Sequence, residues 1–224
     1  MLEDDEDHAS TIATPSGAQE PERRRDPRQV TVLRVAKLHS AAGEELCLVR
    51  NISSGGLMAH VYSTLATGDH VTVEFRSGHA IPGHILWQRN GLAGMEFDEK
   101  VDTTSVLSGD DLSPQPAQQR APRVELELPG RIRVGARYHA ATLLNISQGG
   151  AKIRAAEEIE PAEKLVLMVN GLPPVAASVR WRDNGQTGIA FDIPVPFDVL
   201  AQWIPMMQRQ AQSRPDGPAS ELRI

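Results

Sequence analysis

The feature that most constrains this sequence is a repeat, in which one half of the chain recurs in the other at a fixed offset of 94 positions. The segment Asn51–Gly56 recurs as Asn145–Gly150, and Phe97 recurs as Phe191. Unrelated apolar patterns do not keep register over roughly fifty positions, so the repeat indicates a duplicated domain of about a hundred residues. Two copies of this length exclude a solenoid. Any difference between the copies therefore carries information about function.

Length and composition favour two small β domains. The 224 residues suffice for two domains that each bury a core. Gly and Pro are frequent and aromatic residues are only 4%, which favours short strands joined by turns. The single cysteine, Cys47, excludes an internal disulfide and lies between Leu46 and Leu48. We therefore expect a buried structural thiol in a protein of a reducing compartment.

Each copy shows a series of short apolar segments separated by turn residues. In the first copy they are Val30–Val35, Leu46–Leu48, Leu57–Val61, Val71–Phe75, Ile81–Trp87 and Leu92–Phe97. Six strands at this spacing predict a small antiparallel barrel or sandwich. Asn90-Gly91 predicts a type I′ hairpin turn, because both positions need a positive φ. The second copy repeats this pattern from Val124 to Phe191.

The segments outside the apolar repeats define the remaining organisation. The linker is predicted to hold a short helix near Val106, and apolar residues on one face of Phe197–Met207 predict a closing helix on the second domain. Pro205 is expected to end or bend that helix. The sequence thus predicts an acidic disordered tail at 1–22 and a first domain at 23–103. A linker at 104–119 leads to a second domain at 120–207, and a frayed C-terminal tail follows at 208–224.

Charge and hydropathy narrow the function classes. The net charge of −6 argues against a nucleic-acid partner, because such binding needs a basic surface. The N-terminus is acidic and lacks an apolar run, which predicts no secretory signal, no membrane span and a cytoplasmic protein. The cluster Arg23–Arg25 with Arg28 follows the acidic tail and predicts a local anion site.

Two motifs lie at a specific spacing in the first copy. Arg24-x-x-x-Arg28 precedes the first predicted strand, and Asn51-x-Ser53-x-x-Gly56 follows at a turn, with 23 positions between Arg28 and Asn51. Together they resemble the PilZ domain, in which an RxxxR element precedes a [D/N]xSxxG element. The resemblance extends to most of each copy. It implies an all-β fold of two tandem six-stranded antiparallel β-barrels, to which the apolar pattern of Phe197–Met207 adds a C-terminal helix after the second.

The resemblance also implies that the chain is a bacterial receptor for the second messenger cyclic di-GMP. Arg presents a planar charged fork that matches a phosphate and the O6/N7 edge of guanine, and glycines let backbone N–H groups approach an anion. The implied ligand-binding residues are Arg24, Arg28, Asn51, Ser53 and Gly56, with Arg23 and Gly55 as further candidates. This set contains no general base or metal ligand, so we expect a receptor without a cofactor and not an enzyme.

The second copy departs from this pattern before its first strand. Aligning Arg28 with Arg123 needs an offset of 95, and Arg24 then meets Gln119. A weaker second site is therefore predicted from Arg120, Arg123, Asn145, Ser147 and Gly150. Arg131 and Arg133 are candidates to compensate for the missing arginine. On this reading the first domain senses the ligand, and the second is a degenerate partner or an output surface.

Other interpretations remain open at this stage. The Asn-x-Ser-x-x-Gly segment is compatible with a turn alone, which is the favoured reading of the second copy. The pair Trp87 and Trp181 is expected in the core, and a metal site is not expected, because His79 and His84 have no Cys or clustered carboxylates near them in the sequence. The receptor is expected to signal to an unidentified protein partner. The alternative is a PilZ-type interaction adaptor that does not bind nucleotide, while a catalytic barrel lacks a nucleophile–base pair.

Overall fold

The structure is a computed structural model that describes residues 30–111, 121–155 and 160–213. Its first half contains β1 (Val30–Ser40), β2 (Gly43–Ser53), β3 (Gly56–His60), β4 (His70–Glu74), β5 (Ala80–Arg89), β6 (Leu92–Phe97) and α1 (Thr103–Asp111). Its second half contains β7 (Val124–Val134), β8 (Arg137–Ser147), β9 (Gly150–Ala155), β10 (Lys164–Val169), β11 (Val175–Asp183), β12 (Gln186–Phe191) and α2 (Phe197–Gln212).

The strands form two closed antiparallel barrels with the same topology. The strand order is β1-β2-β3-β6-β5-β4 in the first and β7-β8-β9-β12-β11-β10 in the second. The register is also the same, since Val30 pairs with Ile52 and Val124 with Ile146. The predicted fold class is confirmed.

Local sequence explains why the chain turns and packs in this way. Strand β4 buries alternate residues, as expected of a strand with one face in the core. The predicted type I′ turn is confirmed by positive φ angles of 51° at Asn90 and 73° at Gly91. Cys47 is fully buried, as predicted, and burial raises the pKa of its thiol strongly.

A helix follows each barrel at corresponding positions. The predicted helix near Val106 is present as α1, and Val106 is buried in the core of the first barrel. Pro205 was expected to end or bend α2, and it does not end it, because the helix continues to Gln212. The buried face that includes Leu200 and Trp203 packs on the second barrel, and this packing outweighs the roughly 3 kcal/mol cost of an interior proline.

The two barrels are joined through the β1–β2 hairpin. Gln208 Nε2 donates to the carbonyl oxygen of Glu44 at 2.7 Å, and Gln212 Nε2 donates to that of Ala42 at 3.3 Å. Leu46 lies on the outer face of β2 yet is fully buried, packed with the core of the second barrel. The prediction that the chain is frayed from residue 208 is therefore wrong for residues 208–212, which belong to α2. Its polar side chains satisfy backbone carbonyl groups of the other barrel.

The expectation that the repeated Trp pair lies in the core is also wrong. Trp87 is half-buried and Trp181 is 40% exposed. Each indole lies on the outer face of its barrel, where it covers a glycine of the neighbouring strand, Gly94 or Gly188. A side chain at either glycine would overlap with the ring. The repeated Trp–Gly spacing is therefore explained by packing of each indole on the outer surface of its own barrel.

Candidate functional site

The turn after β2 is held by two residues of the Asn-x-Ser-x-x-Gly motif. The Ser53 hydroxyl donates to the carbonyl oxygen of Gly56 at 3.2 Å. A Cβ built on Gly56 would overlap with the carbonyl oxygen of Met95, so only glycine allows β3 to approach β6 at this point. The carbonyl oxygen of Gly55 accepts a hydrogen bond from the N–H of Phe97 at 2.9 Å. These contacts build the barrel whether or not a ligand binds.

The second copy builds the same turn with the same bonds. Ser147 Oγ donates to the carbonyl oxygen of Gly150 at 3.1 Å, and Phe191 N donates to that of Gly149 at 3.0 Å. A Cβ on Gly150 would overlap with the carbonyl oxygen of Ile189. Ser and Gly of the motif therefore have a structural role in both copies.

Asn51 differs from Ser53 and Gly56 because it lies on the outer face of the first barrel. A β-bulge between Val49 and Asn51 in the pairing of β2 with β3 precedes it, and its side chain is half-buried. Its cross-strand neighbours are Thr31 on β1 and Met58 on β3. Since directly paired residues present their side chains on the same face, these three side chains form one outward row, with Thr31 exposed and Met58 half-buried.

The row continues to an aromatic side chain that sequence reasoning did not assign to the site. Met58 pairs with Gly94, and Gly94 pairs with Trp87. Above this ring lies the Arg89 guanidinium carbon, 5.2 Å from the ring centroid. The repeated Trp–Gly spacing is the sequence signal that could have identified the ring as a surface group.

In the second barrel, the same row carries different chemistry. Glu125 occupies the position of Thr31, and its carboxylate oxygen Oε1 accepts a hydrogen bond from Asn145 Nδ2 at 2.9 Å. Asn145 is only 5% exposed, whereas Asn51 is half-buried. Lys152 occupies the position of Met58. The second Asn therefore already has a carboxylate as partner, and an anionic ligand would meet that negative charge.

Of the arginines in the two predicted sites, only Arg123 lies within the described residues. Arg23, Arg24, Arg28 and Arg120 lie outside the described residues. Strands β1 and β7 keep the offset of 94 from their first residues, Val30 and Val124. Arg123 directly precedes Val124, so in the register of the strands it corresponds to Gln29 and not to Arg28. The alignment of Arg28 with Arg123, which needs an offset of 95, therefore does not follow the register of β1 and β7.

Compensation by Arg131 and Arg133 is not supported by the strand register. Arg131 pairs with Ala140, five residues before Asn145 on β8, which is about 17 Å along a strand. Arg133 pairs with Tyr138 and is farther still. Neither side chain lies beside Asn145.

The expectation for His84 is corrected by a cluster of imidazole and carboxylate groups in the cross-strand row next to that of Asn51, where Gly56 pairs with Glu96 and Glu96 with His84. Its Nε2 lies 3.2 Å from Glu96 Oε2, and its Nδ1 lies 3.8 Å from Asp98 Oδ1. His70 Nε2 also lies 3.1 Å from Asp98 Oδ2. Carboxylates do surround His84, because strand pairing brings them together from distant positions. No group of three or more His, Cys, Asp or Glu side chains in the described ranges is arranged to hold a metal ion.

Comparison with known protein families identifies both barrels. The model of the PilZ domain matches residues 22–108 and again residues 117–204. The chain belongs to the PilZ family. As the sequence resemblance implied, it is a tandem PilZ protein. None of the helices in the described ranges combines the length and the hydropathy needed to cross a bilayer.

Several solved structures are similar to this chain. PlzA of Borreliella burgdorferi, solved in complex with c-di-GMP, shares 14% identity, with a TM-score of 0.34 and coverage of 78% of this chain and 92% of that one. The Bacillus subtilis inhibitor of motility MotI/DgrA shares 17% identity, with a TM-score of 0.33 and coverage of 83% and 99%. Escherichia coli YcgR in complex with c-di-GMP shares 12%, with a TM-score of 0.34 and coverage of 80% and 86%. No curated protein sequence matches the chain.

Proposed function

We propose that this PilZ protein is a cytoplasmic receptor that binds cyclic di-GMP on the outer face of its first domain, residues 23–103. The proposal assigns no reaction to the chain. The ligand-binding residues are Arg23, Arg24, Arg28, Asn51, Ser53, Gly55 and Gly56, with Trp87 as an addition from the barrel surface. The observation that carries the proposal is the difference between the two Asn residues. Asn51 lies half-buried beside Thr31, while Asn145 is buried against Glu125.

The chemistry of this face suits a cyclic dinucleotide. Arg24 and Arg28 immediately precede β1, and β1 pairs with the strand that carries Asn51. Their guanidinium forks match phosphate oxygens and the O6/N7 edge of guanine. The Asn51 amide offers one acceptor and two donors to a base edge. A base can stack on the ring of Trp87 by taking the place of the Arg89 guanidinium, whose carbon lies 5.2 Å from the ring centroid.

The second domain, residues 120–207, has a different role in this proposal. Glu125 holds Asn145 with its side chain, and its own backbone N–H donates to Glu44 Oε2 of the first barrel at 2.9 Å. Of the predicted second site (Arg120, Arg123, Asn145, Ser147 and Gly150), Asn145 is thus bound to a residue of the junction between the barrels. Ligand capture on the first barrel then acts on a protein partner by changing this junction or the surface beside it.

Titration calorimetry of the full chain with cyclic di-GMP tests the proposal. We expect Arg28→Ala to weaken binding by about tenfold or more, because a charge-assisted bidentate contact contributes about 1.5–3 kcal/mol. The matched control is Arg120→Ala, which removes an arginine just before the second barrel. It should leave the affinity unchanged. Equal affinities of Arg28→Ala and the unaltered chain would contradict the proposed site.

One observation favours the alternative of an interaction adaptor that does not bind nucleotide. Ser53 and Gly56 are accounted for by hydrogen bonding and close backbone approach in the turn. Their presence therefore does not require a ligand. An unaltered chain that gives no binding heat with cyclic di-GMP at any tested concentration would favour the adaptor.

A further inference from the structure

The β7–β8 hairpin of the second barrel presents a basic outer face. Arg131, Arg133 and Arg137 are exposed, and between them lies Tyr138, which is 62% exposed. Arg133 pairs with Tyr138 across the hairpin, so both side chains lie on the same face. We call these four residues the basic hairpin.

In the first barrel the corresponding β1–β2 hairpin contacts other parts of the chain. Tyr138 and Ala140 correspond to Glu44 and Leu46 at the offset of 94. In the first barrel Leu46 is fully buried, and Glu44 accepts hydrogen bonds from Gln208 and from the backbone of Glu125. That face therefore binds another part of the same chain. Its counterpart in the second barrel leaves both Tyr138 and Ala140 exposed.

A groove adjoins the basic hairpin. It has a volume of about 540 Å³ and is lined by residues that include Pro129, Ala140, Thr142 and Arg154. Arg131 lines a second depression beside it. Exposed Ala140, two residues after Tyr138 on β8, thus connects the basic hairpin to this groove.

We propose that the acidic segment Glu3–Asp7 of this same chain docks on the basic hairpin. The segment has five consecutive carboxylates, and residues 1–22 contain seven acidic residues and no Lys or Arg. Its charge is complementary to that of the three arginines. Docking of the segment is independent of the proposed receptor function, although Arg24 and Arg28 lie between it and β1.

The length of the intervening chain allows this contact. Residues 8–29 separate Asp7 from Val30, and a chain of this length reaches up to about 70 Å when extended. A compact protein of this size has a diameter of about 45 Å, judged from its expected radius of gyration. Tethering gives a local concentration on the order of millimolar. Ion pairs that are individually weak are then sufficient for docking, and added salt weakens them.

Paramagnetic NMR on the full chain tests the proposal. A Ser10→Cys variant carries a nitroxide label close to the acidic segment, while the native Cys47 is fully buried and is therefore not expected to react. We expect the amide signals of Arg131–His139 to lose most of their intensity at low salt. They should recover at high salt. Signals from the β4–β5 turn around Gly78 of the first barrel should be unaffected.

Two matched charge variants decide whether the basic hairpin is the docking site. Replacing Arg131, Arg133 and Arg137 by Gln should restore the hairpin signals, and so should replacing the five acids by their amides. The control is replacement of Arg50, Arg76 and Arg89 on the first barrel by Gln, which should leave the loss unchanged. The proposal is overturned if the signals are lost on another surface, if the hairpin signals are not lost at all, or if the loss survives either charge variant. It is also overturned if the loss appears only between molecules in a mixture of labelled and isotope-enriched protein, which would indicate a second copy as the occupant.

Discussion

Asn145 Nδ2 donates a hydrogen bond to Glu125 Oε1 at 2.9 Å in the second barrel, at a register where the first barrel pairs Asn51 with Thr31. One substitution in a neighbouring strand thus changes the surroundings of the same motif residue. In the second copy the amide is buried and bound by a carboxylate. In the first it faces an exposed Thr.

This relationship predicts the effect of placing the same carboxylate in the first copy. We expect Thr31→Glu to weaken cyclic di-GMP binding by about tenfold or more, because a carboxylate beside Asn51 repels the ligand phosphates. Calorimetry of the full chain measures the loss. The control, Thr31→Gln, has a similar shape without the charge and should retain most of the affinity. Equal losses for Gln and Glu would show that bulk and not charge is responsible.

The half-buried indole on the first barrel leads to a second prediction. Stacking of a base on an aromatic side chain contributes about 1–3 kcal/mol. We therefore expect Trp87→Ala to weaken the binding of cyclic di-GMP by roughly five- to a hundredfold. Trp181→Ala removes the corresponding ring of the second barrel and should have no effect on affinity. A fluorescence titration that gives the same affinity for both variants would exclude the role of Trp87.

The turn that follows β8 predicts a large difference in stability between substitutions at two adjacent glycines. Gly150→Ala should destabilise the protein by about 2 kcal/mol or more, because its Cβ overlaps with the carbonyl oxygen of Ile189. Gly149→Ala has open space around its Cβ and should change the free energy of unfolding by less than about 0.5 kcal/mol. Urea denaturation of the two variants measures the difference. Similar stabilities would show that β9 and β12 can separate at little cost.

Burial of Glu45 predicts a pH dependence of stability. Desolvation raises the pKa of this carboxyl, although hydrogen bonds from Ser63 and the charge of Arg209 oppose the shift. The folded state therefore binds the proton more tightly than the unfolded state, and the contribution of Glu45 to stability falls as the pH rises from about 4.5 through the folded-state pKa. Glu45→Gln should accordingly stabilise the protein at pH 7 relative to the unaltered chain.

The gain from Glu45→Gln should shrink as the pH is lowered towards about 4.5. Urea denaturation at several pH values measures this trend. The matched control is Glu99→Gln at an exposed position, which should show no such trend. A Glu45→Gln variant that is less stable than the unaltered chain at pH 7 would mean that the hydrogen bond from Ser63, at 2.9 Å, outweighs the cost of burying the charge.

Local patterns predicted the elements, and the exceptions have physical reasons. Positive φ at Asn90 and Gly91 follows from the residues themselves, as does the burial of Cys47 within an apolar strand. The continuation of α2 through Pro205 does not, because it depends on how much apolar surface the helix buries on the second barrel. The exposed position of Trp181 likewise depends on Gly188, which lies on the neighbouring strand.

The repeat, the strand pattern and the two motifs determined that this protein contains two β-barrels of the PilZ type, because turn chemistry and alternating burial are local properties of the chain. They also indicated that the copies are unequal, since only the first carries Arg24 and Arg28. Only the tertiary structure decided how the copies differ at the motif itself. Glu125 and Asn145 are 20 positions apart in the sequence, and the antiparallel pairing of β7 and β8 makes them neighbours.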